Sequence, residues 1–236
     1  MTESVPTVLV PGLFCSPRLY AEQLPVLWQF GPVTVADHRH DADLGAIVDR
    51  LLATAPRQFG LIGLSMGGYV ALEVMRRAPE RVLKLGLLST SARPDTPEQT
   101  AKRRQQMTQA QSGQFAEVVD AAWPMLVAPA REHDAPLRDV VHAMARDTGA
   151  EAFVRQQTAI IGRPDSRPDL PAIRCPALVL AGRDDQVIPP AMAEEMAAAI
   201  PGASLVLVPH CGHLSTLEQA DDVNAALMSF WSTSYR

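Results

Sequence analysis

Cysteine is scarce in this chain: Cys15, Cys175 and Cys211 are the only three in 236 residues. Three thiols so far apart make neither a disulfide framework nor a zinc site. No apolar run approaches the roughly 20 residues of a membrane span, so no membrane association is expected. The opening Met1-Thr2-Glu3-Ser4 carries an acid where a secretory leader carries Lys or Arg, and no leader-type apolar stretch follows. A reduced, cytoplasmic protein is the expectation. Positive charge is also in short supply. The 21 Lys and Arg face 26 Asp and Glu, for a formal net charge of −5, and a nucleic-acid backbone needs a basic face. Phosphate-cradling glycine loops are missing, with no Gly-x-Gly-x-x-Gly and no Lys behind a glycine loop. Internal repeats and low-complexity tracts are absent too.

What remains is ordinary globular composition, 47% hydrophobic and 20% charged, which excludes whole-chain disorder. The length suits one domain, or one domain with an insertion, and its core needs no disulfide or structural metal. Short apolar runs recur at Thr7–Val10, Val33–Ala36, Phe59–Leu64, Val82–Leu88, Ala177–Ala181 and Ser204–Val208. Near-continuous apolar runs of this length suit strands buried on both faces, as in a parallel sheet. Helix-like stretches lie between them at Leu19–Trp28, Leu44–Thr54, Met66–Arg77, Ala191–Ile200 and Leu217–Trp231. The alternation predicts an α/β fold with right-handed crossovers. It breaks between Ala92 and Pro168, where Thr96–Gln111, Phe115–Trp123, Pro136–Asp147 and Glu151–Ile161 read as helices. Proline-rich stretches bracket that block. The division is therefore a core of residues 1–91 and 169–236 with a helical insertion at 92–168.

The sharpest motif is Gly63-Leu64-Ser65-Met66-Gly67-Gly68, between a strand and a helix. A nucleophile on a tight strand-to-helix turn has a strained backbone, and side chains two residues to either side would clash. The helix N-terminus behind the serine presents free N–H groups to a developing oxyanion. A serine hydroxyl needs a base. His213, in the loop after the last strand and following Gly212, is the first candidate and His210 the second. The base needs an acid that orients it. The loop Gly182-Arg183-Asp184-Asp185 lies at the same sheet edge, where ligands of such sheets bind, and spacing alone leaves Asp184 and Asp185 both open. The turn Val10-Pro11-Gly12-Leu13 after the first strand could bring the N–H of Leu13 beside that of Met66 around an oxyanion.

Weaker signals surround these. Asp37, His38, His40, Asp41 and Asp43 crowd one loop; a metal could bind there, but a solvated charged loop explains them and no metal is expected. Phe14, Trp123, Met125, Phe153 and Ile160 are candidates for an apolar substrate pocket, as helix packing would also explain. Cys15 and Cys211 flank the site in sequence and could confer sensitivity to thiol reagents.

Ser65, then Asp185, then His213, in that order along nearly the whole chain, resembles the α/β-hydrolase superfamily. The family's elbow matches Gly63–Gly67. Its acid loop, often Gly-x-x-Asp-x-x-x-Pro, matches Gly182, Asp185 and Pro189, and so selects Asp185. Its Gly-His pair matches Gly212-His213, and its oxyanion donors fall on Leu13 and Met66. The insertion sits where the family carries its cap or lid. Pro11-Gly12 replaces the family's usual His-Gly, and Asp37-His38-Arg39-His40-Asp41 replaces its Asp-x-x-Gly-x-Gly-x-Ser loop. The chain begins at what would be the family's third strand, so six parallel strands in the order 2-1-3-4-5-6 are expected, without the N-terminal hairpin.

The resemblance implies a serine hydrolase that cleaves a small or medium-sized carboxylic ester or thioester without a cofactor. Its cap is similar to that of carboxylesterases, including the methyl-ester hydrolases of biotin synthesis. Its partner would be a small-molecule ester, and the protein a monomer or homodimer. The same triad in this superfamily also serves carbon–carbon hydrolysis, lyase chemistry and perhydrolysis. A lyase with a polyanionic substrate would need basic residues such as Arg146, Arg155 and Arg163. Haloalkane dehalogenases and epoxide hydrolases use an aspartate where Ser65 stands. A ligand receptor that keeps the fold without turnover is the alternative of another class.

Overall fold

The six apolar runs form six strands: β1 Thr7–Val10, β2 Val33–Val35, β3 Phe59–Leu64, β4 Val82–Leu88, β5 Ala177–Gly182 and β6 Ser204–Val208. The computed structural model describes residues 4–234. Met1, Thr2 and Glu3, on which the reading of the chain start rests, lie outside the described residues. All strand pairs are parallel and run in the order β2-β1-β3-β4-β5-β6, as expected. Every residue of β1, β3 and β5 is buried, which is why these strands read as unbroken apolar runs.

Helices cover both faces. They are α1 Leu24–Trp28, α2 Leu44–Thr54, α3 Met66–Arg77, α4 Pro97–Gln111, α5 Phe115–Leu126, α6 Ala135–Thr148, α7 Ala150–Ile161, α8 Pro190–Ala199, α9 Ser215–Glu218 and α10 Ala220–Trp231. On one face Ile47 and Val48 of α2, Val70 and Val74 of α3 and Met196 of α8 pack on Val8, Leu61, Leu85 and Val179. On the other, Leu27 of α1 and Leu227 and Trp231 of α10 pack on Leu9, Ile62, Leu178 and Leu180. Between β4 and β5 the chain forms α4 to α7 and no strand.

Three helix expectations need correction. The stretch 19–28 is not one helix but a 3₁₀ turn, Pro17–Tyr20, followed by α1. Pro25 has no N–H and clashes with the preceding turn, so it fits only at a helix start. The stretch 217–231 is also interrupted, at Gln219, whose φ of −133° and ψ of 57° are not helical. Conversely α5 runs past Trp123 to Leu126 with Pro124 inside its last turn.

Crossovers run from β1 to β2 in one direction and back to β3 in the other, so the sheet reverses between β1 and β3. A crevice opens beyond the carboxyl ends of strands at such a point. Ser65 follows the end of β3 directly, and Gly12 follows the end of β1 after Pro11.

Candidate active site

Ser65 follows the last residue of β3 and precedes the first of α3, with φ 55° and ψ −114°. A non-glycine residue at positive φ costs energy and persists only where its surroundings hold it. Here Ser65 N–H donates to the Leu88 carbonyl at 2.9 Å, and its carbonyl accepts from the Thr90 hydroxyl at 2.8 Å. A Cβ on Gly63 would overlap the backbone of Gly67, and one on Gly67 would overlap the Val10 carbonyl. The glycines let β1, β3 and α3 approach closely enough to make the turn.

His213 is buried, with Nδ1 2.8 Å from Asp185 Oδ2. The other carboxylate oxygen, Oδ1, accepts from Val187 N–H and Ile188 N–H at 2.9 Å each. Those two bonds fix the carboxylate plane, and the carboxylate in turn favours the Nδ1–H tautomer, leaving Nε2 free to accept a proton. Of the two adjacent aspartates, Asp185 reaches the histidine. His210 is exposed, and among the described residues only its carbonyl is engaged, by Gln219. Ser65 and His213 line one cavity of about 300 Å³ together with Leu13. Among the described residues Ser65 Oγ makes no hydrogen bond, an open geometry common in unliganded hydrolytic sites. The N–H groups of Leu13 and Met66 likewise have no partner among the described residues.

Of the expected pocket residues, Phe14 and Ile160 line this cavity. Trp123 and Phe153 do not, and Met125 lies at the surface. The Trp123 ring is buried within the helical block and its Nε1–H donates to the Glu132 carbonyl. Leu126, one turn on, faces the cavity instead. Phe153 lies between Phe14 and Phe115, with ring centroids 6.1 and 5.1 Å away. Each helix of the block supplies lining residues, among them Arg103 from α4, Leu126 from α5, Met144 from α6 and Ile160 from α7. Arg163 lines the cavity, whereas Arg146 and Arg155 do not. Cys15 and Cys211 are buried, and burial pushes both thiols up, Cys15 to about 12. They stay protonated, which opposes the expected sensitivity to thiol reagents.

The crowded loop after β2 is accounted for by protein partners. Asp37 pairs with Arg39 and His40, Asp41 pairs with Arg50, and Asp43 caps α2 through Ala46 N–H. His38 turns inward, and its Nε2 lies 3.2 Å from the Gly12 carbonyl. It thus supports the turn after β1 from another strand end. Gln156 of α7, fully buried, accepts from Phe14 N–H at 3.0 Å and braces the same turn from the helical block. Behind His213, the buried Glu218 accepts through Oε2 from Ala128 N–H at 2.7 Å and Gly212 N–H at 3.1 Å. Burial holds its carboxyl above the usual range. No sequence pattern singled out Gln156 or Glu218, because each acts on backbone far away in the chain or around a turn.

The His38 ring sets a pH dependence. Burial pulls its pKa down to about 4, against about 6.5 in an unfolded chain. Between those values the unfolded chain binds more protons, so stability rises with pH and is lost as pH falls through the window. From pH 7 to pH 5 the loss from this ring is about 2 kcal/mol. Urea midpoints at the two pH values are expected to fall further for the unaltered protein than for His38→Gln. Equal falls would remove the ring as the cause.

The sequence matches the model of the alpha/beta hydrolase family over residues 8–226. A protein of Variovorax paradoxus, provisionally named carbamate hydrolase RutD, is 30% identical over 80% of this chain and 72% of its own. The structure is similar to a thermophilic esterase from Thermogutta terrifontis, solved with malate bound (TM-score 0.90, 28% identity, 100% of this chain and 92% of that one). It is also similar to the enol-lactonase from Burkholderia xenovorans (TM-score 0.89, 25% identity, 98% and 92%).

Proposed function

The chain belongs to the alpha/beta hydrolase family, and from that premise we propose that it is a serine hydrolase, cleaving a carboxylic ester or thioester of a small or medium-sized substrate through an acyl-enzyme on Ser65. The observation that carries this reading is the His213–Asp185 pair at 2.8 Å, with Asp185 held by two further N–H groups, on the wall of the cavity that holds Ser65. His213 Nε2 takes the proton of Ser65 Oγ as the oxygen attacks the carbonyl carbon. Negative charge then gathers on the carbonyl oxygen, where the N–H groups of Leu13 and Met66 stabilise it. His213 returns the proton to the departing alcohol or thiol. Water repeats the sequence on the acyl-enzyme and releases the acid. The helical block at 92–168 acts as the lid of this site over a core of residues 1–91 and 169–236. Its support is that α4 to α7 all line the cavity and that Gln156 holds the oxyanion turn.

A panel of p-nitrophenyl esters of increasing acyl length tests the reading, joined to labelling with diethyl p-nitrophenyl phosphate. We expect turnover with an optimum at short to medium acyl chains. One equivalent of label should abolish that turnover and be found on the Ser65 peptide by mass spectrometry. Activity that survives full labelling, or label on another residue, would sink the acyl-enzyme on Ser65.

A further inference from the structure

Among the described residues the cavity wall carries Arg93, Arg103 and Arg163 and no carboxylate. Arg93, at the exposed rim, is matched by both oxygens of Glu195. The other two are not matched one for one. Arg103 and Arg163 share a single carboxylate, Asp95, each at 2.6 Å, and the Asp95 side chain is 2% exposed. Two guanidinium charges against one carboxylate leave one positive charge at the wall.

Arg163 also has donors to spare. Its Nε–H donates to the Arg93 carbonyl, and Nη1 donates to Asp95 and to the Ile160 carbonyl. Both N–H groups of Nη2 are without a partner among the described residues. The guanidinium lies over the Tyr69 ring, 4.2 Å from its centroid, in a side chain only 6% exposed. The Tyr69 hydroxyl also has no partner among the described residues and borders the same cavity. A guanidinium largely buried, with its charge incompletely matched and Nη2 left open at the cavity, is stabilised by a ligand that completes the pairing. A carboxylate fits best, since one of its oxygens can accept from the open Nη2 of Arg163 and the other from the Tyr69 hydroxyl while its charge balances the unmatched guanidinium. The place is close to the proposed chemistry. Tyr69 lies in the first turn of α3, its N–H donates to the Ser65 carbonyl at 3.3 Å, and both residues line the cavity.

We propose that the cavity selects an anionic substrate, a small ester that carries a free carboxylate such as the half-ester of a dicarboxylic acid, with Arg163 as the residue that binds the carboxylate. The inference rests on the serine hydrolase reading for its catalytic part, and on the Arg103–Asp95–Arg163 arrangement for its binding part. Arg103 holds Asp95 and adds to the field. The carboxylate docks on Nη2 of Arg163 and the Tyr69 hydroxyl, which sets the ester carbonyl toward Ser65.

A matched pair of substrates tests it: mono-p-nitrophenyl glutarate and the same molecule with its free acid capped as a methyl ester. A charged hydrogen bond supports about a tenfold or greater preference in kcat/KM for the free acid, diminishing as salt is raised. Arg163→Gln should bring the ratio of the two substrates to about one, and Arg163→Lys should retain part of it. Turnover of both substrates with no preference, or a preference that Arg163→Gln leaves intact, overturns the anion site and leaves the Ser65 reading standing. If neither ester is turned over and the p-nitrophenyl panel is inert as well, that reading fails; with or without activity on the panel, calorimetry with glutarate on Ser65→Ala then decides the anion site alone. Binding that Arg163→Gln abolishes supports it, and no binding overturns it. Should Arg163→Gln not fold, Arg163→Lys and the salt dependence carry the same decision: no change in the ratio with either overturns the proposal.

Discussion

Ser65→Ala is expected to lower kcat/KM on every ester the protein turns over by about ten-thousand- to a million-fold. The alanine cannot form the acyl-enzyme, so the whole covalent route is lost. What persists comes from water attacking a carbonyl polarised by the Leu13 and Met66 N–H groups, a residual well above the uncatalysed rate. KM should move little, since the cavity keeps its shape. Stability should move little too. The strained backbone at position 65, φ 55°, is held by the Leu88 and Thr90 bonds to Ser65 main-chain atoms, which an alanine also makes. The measurement is steady-state hydrolysis of the preferred p-nitrophenyl ester beside a thermal melt. A folded variant that retains a tenth of the activity would displace Ser65 from the centre of the mechanism.

Asp185→Asn is expected to cost about ten-thousand-fold in kcat at neutral pH. The two N–H donors on Oδ1, from Val187 and Ile188, leave that oxygen an acceptor. An asparagine therefore keeps its carbonyl there and turns its NH₂ toward His213 Nδ1. That donor asks the ring to accept at Nδ1, which places the ring proton on Nε2, where it blocks the transfer from Ser65. The imidazolium formed during attack also loses its counter-charge. Asp184→Asn is the control and should change kcat less than threefold, since its side chain makes no bond to the site. Equal losses in the two variants would mean that the loop's shape matters and the acid does not.

Much of the fold was legible because its signals are local. A strand buried on both faces must be apolar at nearly every position, as the central β1, β3, β4 and β5 are. β2 and β6 read as apolar runs too, but as edge strands they are only partly covered, against the expectation of burial on both faces. The reversal of the serine turn demands glycine at 63 and 67, so the motif is written into six consecutive residues. Lys84 shows where local reading stops. It stands in the middle of β4, yet is fully buried, its Nζ donating at 2.9 Å to each of the Phe230 and Trp231 carbonyls at the end of α10. A cation at a helix C-terminus is favourable, but the helix it serves lies 146 residues away.

The sequence by itself determined the alternation of strand and helix, the place of the helical block, and the positions of Ser65 and of His213 at one sheet edge. Periodicity, turn chemistry and strand order dictate these within short windows of chain. Spacing left Asp184 and Asp185 open, and only the folded loop shows which carboxylate meets the histidine ring. The tertiary structure alone decided the cavity wall. It put Leu126 there and turned Trp123 and Phe153 into helix packing, since which face of a helix meets a cavity depends on how four helices pack together. It also joined Gln156 to the Phe14 N–H across 142 residues, Arg163 to Asp95 across 68 and Glu218 to the Ala128 N–H across 90. Buried polar groups must find partners wherever the fold brings them, and no short window of sequence contains both ends of such a bond.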